Sequence, residues 1–185
     1  MLKIFNKILA FLTIISVQSA ICSCSSDVKQ TKNDELSAKK QTKEYLERAN
    51  KYMVSQEKEL INDYIEQQNL TMVETGTGLR YCIEKQGDNE KIKKGDIVTL
   101  DYEVRLLDGD LLYCSETNGL KVFVVGYGGV ESGLEEAVLY LHKGDVAEII
   151  IPSHLAYGLL GDGDKIPPKA TLVYKVKIVE NQINS

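Results

Sequence analysis

Residues 130–178 read VESGLEEAVLYLHKGDVAEIIIPSHLAYGLLGDGDKIPPKATLVYKVKI, and this stretch decides the fold. Ser132 and Glu135 have the spacing of a capping box, in which each side chain satisfies an orphan backbone donor, so a short helix is expected to start there. Leu134, Ala137, Val138 and Leu141 follow at three- and four-residue steps and give that helix one apolar stripe, which Lys143, Gly144 and Asp145 end. Residues 146–151 and 171–179 are rich in β-branched side chains and bounded by Gly or Pro, which predicts two strands. The second alternates Leu172, Tyr174, Val176 and Ile178.

Toward the N-terminus the pattern is also of period two. Residues 72–75 and 79–84 read as a strand pair around Gly76-Thr77-Gly78, with Leu79, Tyr81 and Ile83 on one face. Residues 97–106 alternate Val98, Leu100, Tyr102, Val104 and Leu106; Asp108-Gly109 is a hairpin signal, and residues 111–115 and 120–125 supply two further strands. Antiparallel strands wrapped on one short helix make an α+β domain over residues 70–182.

Residues 36–69 behave differently. Residues 36–68 hold neither Gly nor Pro, and Leu46, Ala49, Met53, Leu60 and Tyr64 recur at helical spacing beside Tyr45, Tyr52, Ile61 and Ile65. A helix of about 45 Å is expected, with a stripe that packs on its own domain, on a second copy of itself or on another protein. Residues 24–35 are polar and read as a tether. Before them, Lys3 and Lys7 precede an apolar run over residues 8–17 that is short for a bilayer span, which is the pattern of an export signal over residues 1–23.

Charge and cysteines narrow the function. The net charge is −5, and losing Lys3 and Lys7 with the signal leaves 22 − 2 basic against 27 acidic residues, or −7, a poor fit to nucleic acid. Cys82 and Cys114 sit in no metal or redox motif and read as two small half-buried residues. Gly126, Gly128 and Gly129 lack the Lys-Ser/Thr of a phosphate loop; Asp162-Gly163-Asp164 lacks the downstream Glu of a calcium loop, Val173 standing in its place. Ser153-His154 is surrounded by no nucleophile motif. No metal and no cofactor are expected.

The order of the Gly133-Leu134-Glu135-Glu136 helix, the Ala156-Tyr157-Gly158 turn and the Ile166-Pro167-Pro168-Lys169-Ala170-Thr171-Leu172-Val173-Tyr174 strand resembles the FKBP-type peptidyl-prolyl isomerases. The resemblance implies an FKBP-like sheet and isomerisation of X-Pro bonds in proline-containing segments of other proteins. It also implies site residues. Tyr157 matches the hydroxyl that holds the prolyl carbonyl, and Tyr102 the tyrosine of the Val-x-Tyr strand. Phe123, Val130, Leu134, Ile166 and Tyr174 match the apolar wall, with Leu134 in place of the Trp floor.

Several positions depart from that family. Leu112-Tyr113-Cys114 stands where Phe-Asp-Ser is usual, so the aromatic wall and the carboxylate are both missing; Lys121 replaces one Phe of Phe-x-Phe, and Glu131 replaces an aliphatic residue. The hairpin is similar to that of lipoprotein members associated with gliding motility in Bacteroidetes, which also carry a long N-terminal helix. Ile21-Cys22-Ser23-Cys24 further resembles a bacterial lipobox with Cys24 as the lipidated residue. Together these resemblances imply a lipid-anchored isomerase and folding helper in the bacterial envelope, facing the periplasm, with a homodimer through the N-terminal helix as one arrangement. The second reading is a weakly active or inactive binding module in a motility, secretion or envelope assembly.

Overall fold

The computed structural model describes the backbone of residues 27–87 and 90–179, with side chains from Ser37 onward. The expected export signal, Cys24 and residues 180–182 lie outside the described residues.

A single helix, α1, runs Asp27–Gln67 over 41 residues. It therefore includes nine residues expected as tether: nothing in that polar run breaks a helix, and each added residue gains one backbone bond once a nucleus exists. The chain divides into two compact units at Met53 and Val54. In the first, Tyr45, Leu46 and Tyr52 are exposed. Among the described residues no helix is long and apolar enough to cross a membrane.

The second unit begins with the C-terminal part of α1, so the compact domain starts before residue 70. Of the predicted stripe, Tyr64 packs against the sheet but Leu60 stays exposed; its neighbour Ile61 is the buried residue, against Ile150 and Val173 with Tyr64, Ile65 and Met72 around it. Seven strands follow, β1 (Val73–Glu74), β2 (Arg80–Lys85), β3 (Ile97–Arg105), β4 (Leu111–Cys114), β5 (Lys121–Val124), β6 (Val146–Ile151) and β7 (Leu172–Val179). Their order is β1-β2-β6-β7-β3-β4, with β5 pairing β3 off this path, and every pair is antiparallel.

The alternation expected from the sequence decides the faces. Leu100, Val104, Ile149, Ile151, Leu172, Tyr174 and Val176 point to one core with the short helix α3 (Ser132–Val138), whose Leu134, Ala137 and Val138 are fully buried, as is Leu141 just beyond it. The other face of β6 and β7 lies under α1. In β2 the prediction holds for Leu79 and Tyr81 but not for Ile83, which is exposed; Arg80 on the opposite face is the buried residue, paired with Glu74 at 3.1 Å and donating to the Gly78 carbonyl at 2.7 Å.

Strand β3 has an unusual outer edge. Residues 103–105 pair with β4 and residues 97–100 with β5, and between the two lies one helical turn, α2 (Ser115–Asn118). Tyr102 falls in the gap. Its amide donates instead to the Ser115 hydroxyl at 2.7 Å, which keeps a buried backbone donor satisfied and fixes where the Tyr102 ring stands.

The capping box does not form. Ser132 is the first helical residue rather than the cap, and its hydroxyl donates to the Leu155 carbonyl at 3.1 Å, while Glu135 accepts from the Gly128 amide at 2.8 Å. Both side chains tie the helix to neighbouring loops. Ser153 and His154 sit in a 3-10 turn, Ser153–Leu155, not in a strand.

Candidate active site

Four strands, the start of one helix and one loop bring the predicted side chains to one end of the core. Strand β3 supplies Tyr102, β4 Leu112 and Tyr113, β5 Lys121 and Phe123, and β7 Tyr174; the start of α3 adds Val130, Glu131 and Leu134, and the β6–β7 loop adds Tyr157 and Ile166. Tyr102, Leu112, Phe123, Leu134, Ile166 and Tyr174 belong to one buried cluster, with Tyr113 and Val130 packed against it. The rings of Tyr102 and Tyr174 lie 6.3 Å apart.

The loop carrying Tyr157 and Ile166 is shaped by its own backbone. Gly158 donates to the Ser153 carbonyl at 2.8 Å, Lys169 to the Gly158 carbonyl at 2.8 Å, and Ile166 to Asp162 Oδ1 at 2.8 Å. Gly161 has φ +73°, and a Cβ there would strike the Ile166 carbonyl, so only glycine fits.

The departures from the family pattern meet one another. Glu131 is 7% exposed, and its Oε1 accepts from the Tyr157 hydroxyl at 2.6 Å and from the Tyr174 hydroxyl at 2.7 Å. Lys121 lies 3.6 Å from Oε2, donates to the Tyr174 hydroxyl at 3.3 Å, and stands 5.1 Å and 5.4 Å from the centres of the Tyr102 and Tyr174 rings, within cation–π reach. Oε2 makes no hydrogen bond. Burial pushes the Glu131 carboxyl up, but the Lys121 ammonium and the two hydroxyls outweigh it and hold it below the ordinary carboxylate range. Both tyrosines are pushed well above the ordinary phenol range, first by burial and then by the Glu131 carboxylate.

The missing carboxylate of the hairpin is supplied from elsewhere. Tyr113 donates to Asp162, and Lys165 lies 5.1 Å from the centre of the Tyr113 ring while donating to the Leu112 carbonyl at 3.0 Å. Asp162 and Lys165 were legible in the sequence only as a polar loop.

Glu57 was missed altogether. Its Oε1 accepts from the Ser153 amide at 2.6 Å and the Thr171 hydroxyl at 2.7 Å, and its Oε2 from the Ser153 hydroxyl at 3.1 Å, so α1 clamps both ends of the loop that carries Tyr157. A glutamate on a helix rich in charge gives no sign of this. Cys82 and Cys114 are both free.

Residues 88–179 match the family described as FKBP-type peptidyl-prolyl cis-trans isomerase. The chain is 46% identical over 106 residues, 57% of its own length, to a probable FKBP-type peptidyl-prolyl cis-trans isomerase FkpA of Neisseria meningitidis serogroup B; the match spans 39% of that protein, so the chain covers well under half of this relative. It is 35% identical over 120 residues to human peptidyl-prolyl cis-trans isomerase FKBP2, covering 60% of this chain and 84% of that one. The crystal structure of FkpA from Escherichia coli is similar with a TM-score of 0.60 at 26% identity, over 95% of this chain and 80% of that one.

Proposed function

Because the chain belongs to the FKBP-type peptidyl-prolyl cis-trans isomerases, we propose that it isomerises X-Pro bonds in proline-containing segments of bacterial envelope proteins and so assists their folding, held to a membrane by a lipid on Cys24. One observation carries the catalytic part: Tyr102, Phe123, Leu134, Ile166 and Tyr174 belong to one buried cluster, and the exposed Tyr157 is joined to it through the Glu131 oxygen that also accepts from Tyr174.

The reaction needs no covalent step. Rotation about the amide is opposed by roughly 18 to 20 kcal/mol of lost resonance. A dry apolar site that binds the twisted form more tightly than the planar one lowers that barrier by differential binding. In this mechanism Val130, Leu134, Phe123 and Ile166 receive the proline ring, Leu112 and Tyr113 flank the entrance, Tyr102 and Tyr174 face the amide, and Tyr157 holds the carbonyl.

The supporting features for location and assembly are the export signal, the lipobox ending in Cys24 and the exposed Tyr45, Leu46 and Tyr52, which suit packing against a second copy's helix. The domains are then a signal over residues 1–23, a helical stalk and an isomerase unit. A second reading, an FKBP-like binding module with little activity in a motility, secretion or envelope assembly, is favoured by the ion pair of Lys121 and Glu131 inside the site.

Catalysed isomerisation of a proline tetrapeptide by the full chain tests the reading. A well-folded protein with no rate above background on several X-Pro peptides overturns it in favour of the binding module. Fatty-acid labelling of wild type but not Cys24→Ser tests the anchor.

A further inference from the structure

The two phenols that reach Glu131 do not stand equal. Tyr174 is 1% exposed and is also held by Lys121, whereas Tyr157 lies at the mouth and is held there through its side chain by Glu131. A phenol has one proton to donate, and a bond to an ionised acceptor is about twice as strong as one to a neutral carbonyl. In the resting protein that hydrogen bond goes to the Glu131 carboxylate.

We propose that Glu131, held by Lys121, is a positioning residue that clamps the Tyr157 hydroxyl, so that substrate engages Tyr157 only by drawing its proton away from the carboxylate. This rests on the isomerase reading and adds a residue whose family equivalent is apolar. Its geometry is complete on the protein side: the carboxylate is buried, both hydroxyls bond one oxygen, and the second oxygen has no hydrogen-bonding partner to take over when Tyr157 leaves. Releasing Tyr157 therefore leaves Glu131 with Tyr174 and the Lys121 charge alone. The clamp lowers the reaction rate on weakly bound peptides and favours substrates whose remaining contacts are strong enough to open it.

The charged and titratable groups facing Glu131 are Lys121 from β5, Tyr102 from β3, Tyr174 from β7 and Tyr157 from the β6–β7 loop. Only Lys121 carries a compensating charge. Without it the carboxyl is left buried and unpaired, takes up a proton more readily, and the clamp becomes pH-sensitive.

The test is a double-mutant cycle on the full chain with a proline tetrapeptide. Glu131→Gln keeps the shape and removes the charge, and kcat/KM is expected to rise about tenfold, a lost charge-assisted bond's effect. Tyr157→Phe is expected to lower kcat/KM about twofold in wild type but about tenfold in the Glu131→Gln background, since only there is the hydroxyl free to act. Lys121→Met should gain an activity that increases as pH falls, and Lys121→Arg should restore the wild-type profile. Effects of Glu131→Gln and Tyr157→Phe that simply multiply, or a fall in activity with Glu131→Gln, overturn the clamp. A readout independent of catalysis is the ultraviolet titration of the phenols, in which Glu131→Gln should bring Tyr157 ionisation down toward the ordinary range. An unchanged titration sinks the clamp even if no variant isomerises any peptide, whereas a lowered one with no activity sinks only the isomerase reading.

Discussion

Tyr113 donates its hydroxyl to Asp162 Oδ2 at 2.5 Å, and Asp164 Oδ2 lies 3.3 Å from the same oxygen. The hydrogen bond to Asp162, followed by desolvation, pushes the Tyr113 phenol up to about 12. The carboxylate that the hairpin lacks thus reaches this site from a loop about fifty residues further along the chain, and its other oxygen takes the amides of Asp164 and Ile166.

Asp162 therefore organises the loop that holds Ile166. Asp162→Ala is expected to lower kcat/KM by about tenfold, the effect of losing one or two orienting hydrogen bonds, with a small change in melting temperature. Tyr113→Asp should fail to raise activity, because the new carboxylate would face Asp162 and Asp164. Peptide isomerisation and thermal unfolding of the two variants check both statements.

Glu57 joins α1 to the loop ends through three bonds to Ser153 and Thr171. Removing the acceptor leaves the Ser153 amide and two hydroxyls to find water in a half-buried place. Glu57→Ala is expected to cost about 1 to 3 kcal/mol in urea unfolding, and Glu57→Gln less.

Ile61 and Leu60 are neighbours with opposite fates. Ile61→Ala opens a cavity against Ile150 and Val173 and should cost about 2 to 4 kcal/mol, while Leu60→Ala, on the exposed side, should cost under about 0.5 kcal/mol. Equal costs in denaturant unfolding at low protein concentration would refute this assignment of faces.

Glu131 gives the domain a pH dependence of known sign. Its carboxyl is held below the value of about 4.5 that it has in an unfolded chain, so the folded state binds this proton less readily. The stabilisation is complete above about pH 4.5 and is lost as pH falls through the lower folded value. Lys121→Met removes the main lowering charge and should shift acid unfolding to higher pH, read by circular dichroism across an acid titration.

The strands were legible because burial imposes a period of two that the sequence cannot hide, as in Val98, Leu100, Tyr102 and Val104. What failed were statements about partners. Ser132 and Glu135 have cap spacing, yet Leu155, twenty-three residues on, and Gly128, in the preceding turn, claim them. Arg80 is buried because the C-terminal part of α1 lies on its face of the sheet, where Asn62 accepts from it at 3.5 Å, a long-range event with no local signal. The partner of the Tyr157 hydroxyl is Glu131, twenty-six residues away, which its own turn does not announce. Lys121 and Glu131 each looked like a loss; side by side they compensate.

The pairing of β2 with β6 and of β3 with β7 has a consequence for how the chain folds itself. Arg80 waits for Ile150, and Leu100 waits for Ile178, so the β2–β6 and β3–β7 ladders join residues that lie far apart in the chain. Such topologies fold slowly because loop entropy is lost before the contacts that reward it are made. Ile61 has no cover until β6 and β7 exist, so α1 must travel through synthesis with that side chain bare. A protein that waits for its last strand to emerge spends its early life as the kind of unfinished, apolar-bearing chain that folding helpers serve.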